Sequence, residues 1–165
     1  MDYAKTLESN SVKIQVGAAL FLRAEGAKGY PHLPELLRCC QAIDLKKESI
    51  DKYEDGLLGY GALSMGEVLH DYGFEASNPL HIQILDWLVE TTHCQHLNVA
   101  ANAIWGLGLL ASNHDKAVRC LTLIIESDIR DNERHELSLR AIALRMLARI
   151  GRSCYGGTTI CNGIK

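Results

Sequence analysis

Apolar residues recur three and four positions apart along most of this chain, the spacing that makes one stripe of a helix. Leu33, Leu36, Leu37, Cys40 and Ile43 form one such stripe. Leu80, Ile84, Leu85 and Leu88 form a second, and Ala117, Val118, Leu121 and Ile125 a third. The pattern predicts seven helices, at roughly 10–25, 33–43, 50–72, 79–92, 97–112, 114–127 and 133–150. Punctuation agrees with these limits. Asn78 is placed to cap a helix whose first residue is Pro79, a position where proline loses no needed hydrogen bond. Asn113 and Asn132 stand ahead of the sixth and seventh helices. Glu133 and Glu136 fall in a first turn, where the helix dipole favours them. Gly26, Gly73 and Gly151 stand where left-handed C-terminal caps are expected. Gly56, Gly59, Gly61 and Gly66 weaken the third helix, each by about 1 kcal/mol against alanine, so a break or a close helix contact is expected there.

The stripes repeat. Shifting Leu97–Ala111 by forty positions lays it on Leu137–Gly151, with Val99 on Leu139, Ala103 on Ala143, Ile104 on Leu144, Leu107 on Leu147 and Leu110 on Ile150. A shift of forty-one backwards lays Leu58, Ala62, Leu63 and Leu69 on Val99, Ala103, Ile104 and Leu110. A weaker echo puts Ala19-Leu20 on Ala62-Leu63. A helix of this kind cannot bury its apolar stripe alone, whereas stacked copies bury one another's. The small residues at Ala101 and Ala103, and at Ala141 and Ala143, let a neighbouring helix approach closely.

Asn98–Gly108 and Leu139–Leu147 resemble the second helix of a HEAT repeat. The resemblance covers most of residues 10–151 and is strongest in the last two copies. It implies an all-α fold, a short HEAT-like α-solenoid of about seven helices. Residues 1–151 would form the helical repeat domain, and 152–165 a Gly-rich C-terminal tail or short hairpin turning at Gly156-Gly157.

Composition narrows the function. The chain has 165 residues, a net charge of −3 and 47% apolar residues, enough for one packed domain. That charge argues against direct binding of nucleic acid through overall positive potential. The first residues lack the layout of a signal peptide. The longest run without a charge, Thr91–His114, holds His93, Gln95, His96, Asn98 and Asn102 and does not read as a membrane span. A cytoplasmic location and free thiols follow as expectations for Cys39, Cys40, Cys94, Cys120, Cys154 and Cys161.

Candidate chemistry is sparse. His93, Cys94 and His96 have no second ligand cluster at zinc-site spacing, so no metal is expected. His135-Glu136 is a single pair, where HEAT-like hydroxylases of the deoxyhypusine type use several to hold iron. No nucleophile elbow, phosphate loop or nucleotide fingerprint is present. No catalytic residue and no cofactor is predicted, and the chain reads as a non-enzyme. The arginines of the seventh helix (Arg134, Arg140, Arg145, Arg149 and Arg152) keep open a nucleic-acid enzyme of the HEAT-like glycosylase kind, and a HEAT-like tetrapyrrole enzyme is a further alternative. A solvated face with i,i+4 partners such as Glu136–Arg140 is the simpler reading.

Charge is uneven. Residues 44–90 hold ten acids and three bases, a net of −7. Tyr53, Tyr60 and Tyr72 sit among those carboxylates, a combination suited to the lysines and arginines of another protein. In size, acidity and lack of catalytic groups the chain resembles bacterial immunity proteins of the contact-dependent growth inhibition type. That resemblance implies a protein that binds a basic nuclease toxin domain and covers its active site. The predicted contacts are Asp51, Glu54, Asp55, Tyr60, Glu67, Asp71 and Glu75. The alternative is an adaptor or assembly factor in a larger complex, which would expose an apolar patch at one end of the stack.

Overall fold

The computed structural model describes residues 2–112, 114–127 and 138–156. Within them the chain is all-helical, with no strand. The helices are α1 (Tyr3–Leu7), α2 (Val12–Glu25), α3 (Leu33–Gln41), α4 (Lys52–Tyr72), α5 (Pro79–Thr92), α6 (Leu97–Leu110), α7 (Asp115–Ser127) and α8 (Leu139–Gly156). A 3-10 segment, Gly26–His32, joins α2 to α3.

The repeated segments of the sequence fall on alternate helices. α2 packs on α4, α4 on α6 and α6 on α8, and the α4–α6 contact is the most extensive among the described residues. The intervening helices lie against this row: α3 on α4, α5 on α6 and α7 on α8, with α1 against α2. The equivalent alanines Ala19, Ala62, Ala103 and Ala143 are all fully buried. The large apolar residues that follow them differ. Ile104, in the interior of the row, is buried, whereas Leu20 and Leu144, on its first and last helices, are exposed.

Glycines in α4 and α6 set how closely the row packs. α4 does not break at its glycines. It runs unbroken for 21 residues, and Gly66 meets Gly106 where the two helices cross. A methyl group on Gly106 would lie 2.5 Å from the Ala62 carbonyl oxygen, and one on Gly108 would collide with Met146 of α8. Polar contacts also tie the row together. Ser64 Oγ donates to the Ala19 carbonyl at 2.7 Å, Arg23 pairs with Glu67 at 2.6 Å, and His70 Nδ1 bonds the Leu109 carbonyl at 3.1 Å.

The caps follow local chemistry. Asn78 Oδ1 accepts from the Leu80 N–H ahead of Pro79. Gly26 and Gly73 adopt positive φ at the ends of α2 and α4. The expected left-handed cap at Gly151 is absent, because α8 continues through that residue to Gly156. The caps at Asn113 and Asn132, the segment from Glu133 to Glu136, and the tail beyond Gly156 with Cys161 lie outside the described residues. Arg140 donates to the carbonyl oxygens of Ile125 and Glu126 in the last turn of α7. Two short elements have no counterpart in the apolar pattern. α1 has five residues and starts at the Asp2 cap. The 3-10 segment brings Gly29 so near α2 and α4 that a methyl there would lie 3.1 Å from the Leu22 carbonyl and from Val68. Cys39, Cys40 and Cys120 are free thiols, and Cys94 is buried. Among the described residues no helix is long and apolar enough to cross a membrane.

Candidate protein-binding face

α4 supplies most of the candidate contacts, and its register decides which of them share a face. Tyr60, Leu63, Glu67 and Asp71 follow one another at three- and four-residue steps, so they stand on one stripe. The buried residues of α4, among them Leu57, Leu58, Met65, Val68 and Leu69, turn the other way. Tyr60 is 38% exposed and Asp71 is exposed, while Glu67 is half-covered by Arg23. On α6 the neighbouring stripe carries Asn98, Asn102 and Trp105.

The remaining candidates lie elsewhere on the element. Asp51 is the N-cap of α4, its carboxylate accepting from the Tyr53 and Glu54 N–H groups. Glu54 completes the capping box by accepting from the Asp51 N–H, and it pairs with Lys47 at 2.9 Å. The two backbone N–H groups hold the Asp51 carboxyl below its ordinary value, and Lys47 does the same for Glu54. Both residues therefore have a structural task at the start of α4. Asp55 is different. Burial pushes its carboxyl up, offset in part by His96, and among the described residues no hydrogen bond or ion pair engages that carboxylate. Glu75 lies beyond the end of α4, in the exposed loop leading to α5. A helix of 21 residues spans about 30 Å, so Asp51 and Glu75 mark opposite ends of an elongated strip rather than one patch.

Aromatic rings sit beside cations along this face. Lys52 Nζ lies 4.9 Å and Lys13 Nζ 5.9 Å from the Tyr53 ring centre, and the Arg145 guanidinium of α8 lies 6.0 Å from that of Trp105. Trp105 is half-buried, one side against the core and the other lining the space between α4 and α6. Trp87 is in the core. Tyr72 stacks on Tyr30 with ring centres 3.7 Å apart. Other acids of the central segment point away from this face: Asp86, on α5, pairs with Lys116 of α7 at 2.6 Å.

No protein-family model, curated protein or solved structure matches this chain.

Sequence reasoning missed a polar cluster at the far end of α4. His81 is fully buried, its Nδ1 accepting from the Glu75 N–H at 2.9 Å and its Nε2 bonding the Tyr30 hydroxyl at 3.1 Å. Asn78 Nδ2 donates to the same hydroxyl at 3.0 Å. The partners fix the tautomer: Nδ1 carries the lone pair, so Nε2 carries the proton. Burial pushes the imidazole below its ordinary value. The sequence signal was available in Asn78-Pro79-Leu80-His81, but a histidine in the first turn of a helix reads equally as solvent-facing. The side chains of the His93–His96 segment have separate engagements. Cys94 Sγ faces the His96 carbonyl at 3.5 Å, and His96 and Gln95 both contact the Lys47 carbonyl. Among the described residues no three such groups converge on a metal position.

Proposed function

We propose that this chain is a non-enzymatic protein-binding module, a short HEAT-like α-solenoid built from the hairpins α1–α2, α3–α4, α5–α6 and α7–α8. Its role in this reading is that of a cytoplasmic bacterial immunity protein, which binds a basic nuclease toxin domain and covers the active site. The supporting observation is the stripe of Tyr60, Glu67 and Asp71 on α4, Tyr60 and Asp71 exposed and Glu67 half-covered by Arg23, beside Asn98, Asn102 and Trp105 on α6. Carboxylates and aromatic rings on a rigid helical base suit a cationic protein surface, because complementary fields speed encounter and aromatic anchors supply contact energy. The partner class comes from charge and size, since no related protein points to one.

Co-expression with the products of neighbouring genes tests the proposal. A stable one-to-one complex with a basic nuclease domain, silent while bound and active once released, is the expected result. A partner that keeps full activity in the complex contradicts it.

One observation favours a second reading, an adaptor within a larger assembly. Ile14, Leu20 and Phe21 are exposed together on α2, the first helix of the row, Phe21 by 55%. Sedimentation of the isolated chain separates the two. A monodisperse monomer at high concentration argues against the adaptor, and self-association through α2 argues for it.

A further inference from the structure

Two adjoining hollows, of about 300 and 660 Å³, lie beside the start of α4, the smaller between α4 and α6 and the larger between the segments that lead into them, and Asp55 lines both. The smaller is walled by Tyr60 and Trp105 and edged by the amides of Asn98 and Asn102. Gly56 and Gly59 form its floor, adding no side chain to fill it. Asn102 is seated against that floor, since a methyl on Gly59 would lie 2.9 Å from its Nδ2. Asp55 is half-buried and, unlike Asp51, Glu54 and Glu67, its carboxylate has no hydrogen-bond or ion-pair partner among the described residues. Lys52 also lines both hollows, but its ammonium lies over the Tyr53 ring, 4.9 Å from the centre, and does not pair with Asp55. The carboxylate, partly withdrawn from water, thus stands beside two aromatic rings and two amides that can each offer a carbonyl oxygen, a set of acceptors and ring faces that suits a planar cation.

We propose that this groove receives one arginine side chain of the basic partner, its guanidinium donating to Asp55 and to an asparagine carbonyl while its plane lies against Tyr60 or Trp105. The chain already sets one guanidinium near Trp105, that of Arg145 on α8, 6.0 Å from the ring centre. Arginine fits better than lysine because a guanidinium carries five donors in one plane, whereas an ammonium is a compact point charge that neither forks nor stacks. The inference rests on the reading of the chain as a binder of basic proteins, and it names the residues where one anchor of such a partner is held.

The test is a nuclear magnetic resonance titration of the full chain with acetylated tri-arginine amide, repeated with the tri-lysine and tri-alanine peptides. Saturable shifts of the Trp105 indole N–H and of the Asn98 and Asn102 side-chain amides are expected, strongest with tri-arginine and absent with tri-alanine. Asp55→Asn should weaken tri-arginine binding about tenfold, as the loss of a charge-assisted pair does, while Asp86→Asn, on α5 and turned away from this face, leaves it within about twofold. Unchanged affinity in Asp55→Asn, equal binding of tri-lysine, or shifts centred on Glu67 and Asp71 overturns the groove as an arginine site and leaves the wider reading standing. No shift with either cationic peptide, together with no basic protein recovered by co-expression, overturns both.

Discussion

Gly66 of α4 and Gly106 of α6 meet backbone to backbone: a methyl group built on Gly66 would lie 2.6 Å from the Gly106 carbonyl oxygen and closer still to its Cα. Neither neighbour is the flexible end of a side chain, so nothing local can yield. Helix propensity favours alanine over glycine by about 1 kcal/mol, but overpacking a close crossing costs about 1–3 kcal/mol or more, and the clash wins. Gly66→Ala and Gly106→Ala are predicted to lower stability in urea melts. Gly17→Ala is the control. It lies in α2 with no atom within 4 Å of the added methyl, and it should stabilise by roughly 0.5–1 kcal/mol. A stable Gly66→Ala protein would mean that α4 and α6 do not cross there.

His81 makes stability depend on pH. In the folded chain its pKa lies below the ordinary value of 6.5, so the unfolded chain binds the proton more readily. Its contribution is intact above about pH 6.5 and is lost as pH falls through that value. Protonation would also put a hydrogen on Nδ1, facing the Glu75 N–H that it now accepts from. Between pH 7.5 and 5.5 stability should fall with a slope of at most about 1.4 kcal/mol per pH unit from this residue. His81→Gln should be less stable at pH 7.5 and show a shallower slope. The window lies above the carboxylates Glu35, Asp51 and Glu54, whose lowered values place their losses at more acidic pH. An identical slope in wild type and His81→Gln would contradict the assignment.

Asp51 serves both the helix and the charge of the candidate face, and two substitutions separate the roles. Asp51→Ala removes the acceptor of the capping box and should cost about 1 kcal/mol. Asp51→Asn keeps an acceptor and should cost little, so any loss of partner association in that variant reports charge. Equal thermal midpoints for Asp51→Ala and wild type would show that the cap contributes nothing.

Cys39, Cys40, Cys94 and Cys120 should be inert in the native protein. Burial pushes the Cys39, Cys40 and Cys120 thiols up, and Cys94 is likewise buried. Thiolate is the reactive form, so alkylation at pH 8 followed by peptide mass spectrometry should find these positions unlabelled until denaturant is added. Rapid native labelling of Cys40 would mean that the α3–α4 contact opens readily.

The positions of the longer helices were legible in the sequence because each carries an apolar stripe long enough to register. The repeat of about forty residues also has a physical counterpart: Ala62, Ala103 and Ala143 are buried equivalents on helices that pack in a row. The glycines of α4 pointed to a close contact, but their partner did not. Nothing in the sequence sets Gly106 apart until its proximity to Ala62 and Gly66 is known. α1 and the 3-10 segment are too short to show a period. Gly151 was misread as a stop because glycine is only permissive of a left-handed cap, and α8 carries on through it. Among the site residues, charge alone could not separate Asp51 and Glu54, engaged in a cap, from Asp55, whose carboxylate is unengaged among the described residues, or Glu67 from its cross-helix partner Arg23. The Glu67–Arg23 pairing joins residues 44 apart and is not written in local pattern, whereas the cap at Asp51 and Glu54 is a local Asp-x-x-Glu arrangement that charge counting passes over.

The most direct test of the proposed binding face is stopped-flow association with the basic domain recovered by co-expression, comparing wild type with the charge-reversed double variant Glu67→Lys/Asp71→Lys across a range of salt concentrations. The prediction is a wild-type association rate that falls steeply with salt, and a variant that associates at least about tenfold more slowly at low salt with much of that salt dependence gone. Equal rates and equal salt slopes for the two proteins would contradict the acidic face of α4 as the surface that grips the partner.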